Sequence, residues 1–423
     1  MEFAKTINFI IMILFFVCYS YQMVYIPIAW ISKKKAKDTS KRGRFAVLIA
    51  ARNEESVIGG LIDSLKNQNY PEDMIDIYVV ADNCSDNTSV VAEKHGAIVF
   101  ERFNDVEIGK GYALNFLLKQ IENYGKAKYD AYMVFDADNI VDPNFVSEMN
   151  KSFMSGCEII TCYRNSKNYG DNWISAGYAL WFLRESKYLN MSRYGIGSSS
   201  AVSGTGFLFS DKVLKECGGW NFFCLTEDIE FTIHNVVNGR KIGYCNNAVI
   251  YDEQPTAFSQ SWRQRKRWAK GFLQVFAKYG KSLFTGIFKG SFSCFDMTMN
   301  IMPATALTLI GMIANITALA LNITNATAVK TILYSLLGSI ENIYITVFIT
   351  GIITVITEWK KIYCPTFKKI LYMFTFPIFM LTYIPIFISA IFTKVEWKQI
   401  EHTKNVNLSS ICRIKQTDLN SKN

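Results

Sequence analysis

Three groups of residues in this chain combine types and spacing that chemistry can use. Asp136-Ala137-Asp138 sets two carboxylates at i and i+2 behind an apolar run, so both point the same way where a strand ends. Hard oxygen ligands placed so suit Mg²⁺ or Mn²⁺ bridging a diphosphate, whose charge the metal neutralises as the leaving group departs. A solvated loop is the alternative. Thr226-Glu227-Asp228 precedes a helical pattern with Asp228 in its first turn. There the carboxylate either complements the helix dipole or acts as a general base that takes the proton of an acceptor hydroxyl. Glu227 beside it would orient the acceptor or the metal shell. The third group is Gln264, Arg265, Arg267 and Trp268. An arginine fork grips a diphosphate bidentately, and an indole face is a platform for a sugar ring. A juxtamembrane basic cluster meeting anionic lipid is the alternative, and Lys266 and Lys270 fit that role as well. Two single residues complete the set. Lys110, between Gly109 and Gly111, stands where a helix N-terminus and a cation both favour phosphate, and Asp82 ends a strand where a base or ribose would sit.

The elements that must carry these residues are legible as short apolar runs. Phe45–Ala50 (FAVLIA), Ile77–Ala81 (IYVVA) and Ala131–Phe135 (AYMVF) have the continuous branched character of strands buried on both faces of a parallel sheet. Helices are expected from Arg52 through Leu65, from Thr88 to His95 and from Gly111 to Ile121, with a strand over Ala97–Phe100. The alternation predicts an open α/β sheet, in which ligands lie at the carboxyl ends of the strands. Further on, a strand is expected over Ala201–Phe209, whose Ser203-Gly204-Thr205-Gly206 allows close approach of a ligand. A helix over Glu227–Val237 and a strand over Ile242–Tyr251 close the domain.

Half of the 423 residues are hydrophobic, which points to a membrane component. Ile7–Ile31 is uncharged and long enough to cross a bilayer, and its flanking charge follows it, as in an uncleaved anchor rather than a signal peptide. Three more spans are expected at about Ile301–Leu321, Ile332–Thr357 and Ile370–Phe392, preceded by an amphipathic segment on the membrane up to Met299. The net charge of +9 gathers at the ends of apolar segments, at Lys33, Lys34, Lys35, Lys37, Lys360, Lys361, Lys368 and Lys369. That is positive-inside patterning and argues against nucleic acid as a partner. Four crossings from an outside N-terminus would leave the tail outside, yet it carries Lys394, Lys398, Lys404, Arg413 and Lys415. A re-entrant hairpin broken at Pro377 and Pro385 would return it to the cytosol. Glu341 and Asn342 fall inside the second of these spans, where polar residues face protein or a water-filled path. The ten cysteines have no paired spacing and fit free thiols in a reducing cytosol.

The ordered motifs RNEE, VVADNCSDNT, GKGYALN, FDADN, SGTGF, LTEDIEF and QRKRW resemble those of the membrane-integrated family-2 glycosyltransferases, the cellulose, chitin, hyaluronan and poly-N-acetylglucosamine synthase group. The resemblance covers about Phe45 to Gly271 and the membrane layout around it. It implies an α/β GT-A (Rossmann-like) cytosolic domain plus an α-helical transmembrane region, a UDP-sugar donor and inversion at the anomeric carbon. By the same resemblance, Asn53, Glu54 and Asp82 would contact the uridine, and Lys110 the diphosphate. Asp136 would support the nucleotide end, Asp138 would hold Mg²⁺ or Mn²⁺, and Asp228 would be the base. Gln264, Arg267 and Trp268 match the QxxRW box that would clamp the pyrophosphate and the acceptor end, and Arg265 between them is expected in the same clamp from its own charge. The expected layout is an anchor at 7–31, the glycosyltransferase domain at 43–255, the clamp and interface helices at 256–299, a membrane region at 300–393 and a basic tail at 394–423, in a multi-pass plasma-membrane protein. The expected partners are a UDP-sugar, a glycan or lipid-linked acceptor and membrane lipid. Fewer spans than the cellulose synthases leave two readings beside polymer extension: a single-transfer glycolipid synthase like the ceramide glucosyltransferases, and a catalytically silent membrane scaffold.

Overall fold

The computed structural model describes residues 2–32, 36–395, 400, 402 and 404. Lys33, Lys34, Lys35, Lys398, Arg413 and Lys415, and with them most of the expected basic tail, lie outside the described residues. Two helices open the chain, α1 (Glu2–Tyr19) and α2 (Tyr21–Ile31). The first half of the domain then runs β1 (Phe45–Ala51), α3 (Ile58–Lys66), β2 (Ile75–Asp82), α4 (Thr88–Lys94), β3 (Ile98–Arg102), α5 (Lys110–Tyr124) and β4 (Ala131–Asp136). The second half comprises β5 (Ile140–Val141), α6 (Phe145–Met154), β6 (Ile159–Ser166), α7 (Trp173–Arg184), a π-helical turn at Glu185–Asn190, α8 (Met191–Gly195), β7 (Phe207–Ser210), α9 (Asp211–Glu216), α10 (Glu227–Val237) and β8 (Gly243–Asp252). After it come α11 (Phe258–Phe288), α12 (Phe292–Ile301), α13 (Pro303–Leu321), α14 (Ala326–Thr357), α15 (Thr366–Leu381) and α16 (Tyr383–Phe392).

The strands form one eight-stranded mixed sheet in the order β3-β2-β1-β4-β7-β6-β8-β5. Its first four strands are parallel, as the apolar runs predict, while β7 pairs antiparallel with both β4 and β6. Alternation along β1 sends Val47 and Ile49 into one fully buried layer and Ala46 and Leu48 into the other. Helices cover both faces, and each fully buried Val, Leu, Ile or Phe contributes roughly 1.5–3 kcal/mol. In the β1–β4 register Ala50 pairs with Asp136, and Asp82 ends β2 on the other side of β1. The two acidic strand ends therefore flank one central strand.

Two expected elements are shorter than their sequence pattern suggests. The helix expected from Arg52 begins only at Ile58, because Asn53 has a left-handed φ of 53° that a right-handed helix excludes. Its side chain accepts from Ser85 N at 2.7 Å and ties the β1 loop to the β2 loop. The strand expected over Ala201–Phe209 is confined to Phe207–Ser210. Gly204 and Gly206 both have positive φ and lift the preceding residues off the sheet.

Among the described residues three helices are long and apolar enough to cross a membrane: Thr6–Ile31, Ala326–Thr357 and Thr366–Phe392. A fourth arises if Phe292–Ile301 and Ala306–Leu321, bent by 46°, count as one. The hairpin expected at Pro377 and Pro385 is not formed. Thr366–Phe392 is one apolar rod with a break at Thr382, where Pro385 lacks the N–H that would bridge the gap. Near its start Lys368 Nζ donates to Gly170 O of the domain, and near its end Ala390 O accepts from Lys270 Nζ on α11. Of the tail, the described residues His402 and Lys404 bond the domain at Glu54, Glu253 and Asp171. Glu341 and Asn342 are exposed on α14 instead of facing protein. The nine described cysteines are all free.

Candidate active site

A cleft runs from the carboxyl ends of β1, β2 and β4 to the helices α7, α11 and α12. At its sheet end Lys110, in the first turn of α5, donates to an oxygen of Asp136 and, at 2.8 Å, to Gly204 O. The helix can come this close because residue 111 is glycine: a Cβ there would lie 2.0 Å from Phe222 O. Burial alone would lower the Lys110 pKa, but Asp136, Glu227 and Asp228 outweigh it and the net shift is upward. Asp136 moves the opposite way, since Lys110 more than offsets the burial of its carboxyl. Both groups are thus held charged.

Asp228 begins α10 across the cleft. A Cβ placed on Gly204 would lie 3.8 Å from both Asp136 Oδ2 and Asp228 Oδ2, so the SGTG loop is the floor on which the two carboxylates converge. Burial raises the Asp228 pKa against the opposing pull of the Ile229 N–H, Lys110 and Arg267, and pushes Glu227 up to about 7 with help from Asp228. Such elevated carboxyls are what a proton acceptor near neutral pH requires. The turn before Asp228 packs on α11 through Gly271, where a Cβ would meet Thr226 Oγ1 at 2.4 Å. That contact fixes the acidic turn against the basic box. Arg267 borders the cleft and donates to Leu225 O at 2.9 Å, Gln264 borders it as well, and Trp268 sits edge-on to Tyr178 and Phe182 at 5.7 and 6.2 Å between centroids.

Two residues expected in the site are elsewhere. Arg265 is fully buried on the opposite side of α11, donating to Phe379 O and Thr382 Oγ1 and lying 4.3 Å over the Phe379 ring. Residues i and i+2 on a helix point about 200° apart, so Arg265 and Arg267 cannot share one clamp. Asn53 is taken up by the loop bond described above, and its neighbours Arg52 and Glu54 border the cleft instead. Asp82 borders it while paired to Arg102 at 2.6 Å. Glu54 is pushed up to about 7 by burial, despite the His402 ring 3.0 Å from its carboxylate.

For a divalent metal the donor set fits. Asp138 is buried, with Oδ2 accepting from Glu253 N at 2.8 Å, and Asp252 at the end of β8 is buried beside it. Burial, with Asp138 adding to it against the pull of Arg164, pushes Asp252 up to about 6. Among the described residues no three candidate ligands converge on one point. Mg²⁺ beside substrate phosphates needs only one or two protein carboxylates. Thr226 Oγ1 and Gln264 Oε1 are buried, have no partner among the described residues and lie on residues bordering the cleft, where Asp252 and Gln254 interact with each other. Unsatisfied polar atoms around one cavity are a signature of a polar ligand site.

Sequence reasoning missed Arg164 on β6, Trp181, Phe182 and Glu185 at the end of α7, Asp252 and Gln254, and His402. Asp252 could have been found, since it ends an expected strand. The others belong to no motif and to elements without a strong period.

Comparison with known proteins adds three findings. The family described as "Glycosyltransferase like family 2" matches residues 42–271. The chain is 28% identical to a beta-monoglucosyldiacylglycerol synthase from Synechocystis sp., over 56% of this chain and 50% of that protein. It is 27% identical to a poly-beta-1,6-N-acetyl-D-glucosamine synthase from Staphylococcus epidermidis, over 54% of each. It thus spans about half the length of these relatives. In three dimensions it is similar to the mannosyltransferase PcManGT from Pyrobaculum calidifontis, solved in complex with GDP-Man and Mn²⁺, with a TM-score of 0.58, 15% identity and coverage of 91% of this chain and 99% of that one. The fold is GT-A.

Proposed function

The chain belongs to the glycosyltransferase-like family 2, and from that premise we propose that it moves a hexose or N-acetylhexosamine from a UDP-sugar, with inversion, onto a growing cell-surface polysaccharide at the plasma membrane. The observation that carries this reading is the convergence of Asp136, Lys110 and Asp228 on the Gly204 loop, beside the buried Thr226 Oγ1 and Gln264 Oε1, which have no partner among the described residues. Glu54 and Asp82 at the strand ends receive the nucleotide. Lys110 and Arg267 bring positive charge to the diphosphate from opposite walls. Asp138, together with the phosphates of the donor, would hold Mg²⁺ or Mn²⁺, which when bound would neutralise charge on the departing diphosphate. Asp228 takes the proton of the acceptor hydroxyl as its oxygen bonds to the anomeric carbon and the bond from that carbon to the diphosphate oxygen breaks. Attack from the face opposite the leaving group inverts the anomeric centre. Gln264 and Trp268 border the acceptor path, and Glu227 holds the turn that aims Asp228.

Likeness to a glycolipid synthase supports a second reading, single transfer to a lipid. One experiment separates the two: UDP release by the purified chain with a panel of UDP-sugars and Mn²⁺, with the product sized by mass spectrometry. Polymer extension predicts a ladder of sugar additions. Products of one sugar on a lipid would overturn it in favour of the second reading. A catalytically silent scaffold predicts no UDP release. The catalytic domain is taken to be cytoplasmic, where UDP-sugars are available, and the domain-side tail is consistent with that orientation.

A further inference from the structure

One carboxylate in the cleft has no place in the chemistry above. Glu185 begins the π-helical turn that follows α7, and such π-bulges recur at functional sites because they re-aim side chains. It is only 9% exposed, yet it borders the cleft together with Trp181 and Phe182. One of its oxygens accepts from Ser203 Oγ at 2.8 Å, and the other has no hydrogen-bond partner among the described residues. Among the described residues no cation forms an ion pair with it: Arg164, whose charge acts on it, stacks 3.6 Å over the Phe182 ring and is bonded to Asp252 and to Ser203 O. Ser203 faces Glu185 while the next residue, Gly204, faces Lys110. The carboxylate therefore lies across the SGTG loop from the Lys110 side, in the cleft that Trp268 also borders.

We infer that Glu185, on the cleft wall it shares with Trp181 and bordering the same cleft as Trp268, binds adjacent hydroxyls of a neutral sugar ring at the acceptor end. The inference rests on the transferase reading above and narrows its acceptor. A carboxylate accepts hydrogen bonds and donates none, so two O–H groups of a pyranose are its natural partners, while aromatic faces take the ring's apolar side. A lipid phosphate would be repelled by the same group. An acyl chain would leave it buried and unpaired, which is costly.

The test uses the full chain purified in detergent, with UDP-glucose or UDP-N-acetylglucosamine, Mn²⁺, and cellobiose or N,N′-diacetylchitobiose as primers, beside dioleoylglycerol. Wild type is expected to release UDP faster with a disaccharide. Glu185→Gln should raise the apparent KM for that disaccharide about tenfold or more, as loss of a charged hydrogen bond does. The KM for the UDP-sugar should stay within about twofold, a split that general misfolding would not produce. Glu185→Asp, which keeps the charge but shortens its reach, should fall between and carries the test if the glutamine variant does not fold. An unchanged primer KM, or both KM values rising together, overturns the inference. So does stimulation by dioleoylglycerol with indifference to both disaccharides. A wild type that releases no UDP from any donor overturns the transferase reading itself.

Discussion

Replacing Arg265 by methionine separates two arginines that stand two residues apart on α11 and that a motif reading would treat alike. The guanidinium donates to Phe379 O at 3.1 Å and to Thr382 Oγ1 at 2.7 Å, and stacks on Phe379 and Tyr383 at 4.3 and 4.9 Å. Hydrogen bonds to a charged group contribute about 1.5–3 kcal/mol each, and a desolvated cation–π contact about 2. Against that stand the desolvation of a fully buried cation, whose Nη2 has no partner among the described residues, and the Thr382 hydroxyl, which already donates to Phe379 O at 2.6 Å and keeps that carbonyl satisfied. No carboxylate is bonded to Arg265, so its removal strands no buried anion. The net cost is about 2–4 kcal/mol, a fall in melting temperature of roughly 5–10 °C for a domain of this size. It would appear as loosening of α15 and α16 from α11, measured by thermal unfolding in detergent, while the KM for UDP-sugar stays near wild type. Arg267→Met should do the reverse, lowering kcat/KM by about ten- to a hundredfold with a small change in melting, because its partner Leu225 O lies in a half-exposed loop. A variant at 265 that melts like wild type while its donor KM climbs would refute the placement of that side chain.

Asp228→Asn should reduce kcat by about 10²–10⁴ and leave the UDP-sugar KM within a few fold; UDP release at the wild-type rate would remove Asp228 as the base. Chelation by EDTA should stop turnover and Mn²⁺ or Mg²⁺ restore it, with Asp138→Asn needing more metal for half-maximal rate; indifference to chelator would remove Asp138 from its metal role. Glu227→Gln should shift stability with pH. Burial and the neighbouring Asp228 carry the Glu227 carboxyl from 4.5 up to about 7, so between those values the folded chain holds a proton that the unfolded chain has released. The stability it contributes below 4.5 is lost as pH rises through 7, and the glutamine variant should melt above wild type at about pH 8 and level with it at about pH 4.5. Equal melting at both pH values would show that Glu227 is not held neutral by its surroundings.

The parallel half of the sheet was open to reading because its strands are buried on both faces. FAVLIA, IYVVA and AYMVF can be little else, and each observed strand, Phe45–Ala51, Ile75–Asp82 and Ala131–Asp136, extends its pattern by one to three residues. The acidic ends Asp82 and Asp136 follow from that, as does Asp228 in the first turn of α10. The antiparallel half was not legible in the same way. Ile159–Ser166 mixes apolar and polar residues, and the helix Trp173–Arg184 is buried nearly all round and so carries no amphipathic period, which left Arg164, Trp181 and Glu185 without a signal.

The chain's own order of residues thus settles which chemical groups exist and which strand ends carry the acidic ones, since local burial and period 2 are properties of a short segment. Which of them meet is a matter of long-range packing. A motif spells Arg265 and Arg267 side by side, but the phase of α11 against Thr226 on one face and Phe379 on the other turns one toward the cleft and the other into the helix bundle. Glu185, Asp252 and His402 come from segments far apart along the chain, and only the closing of the sheet and the return of the tail bring them to the same cleft as Asp228.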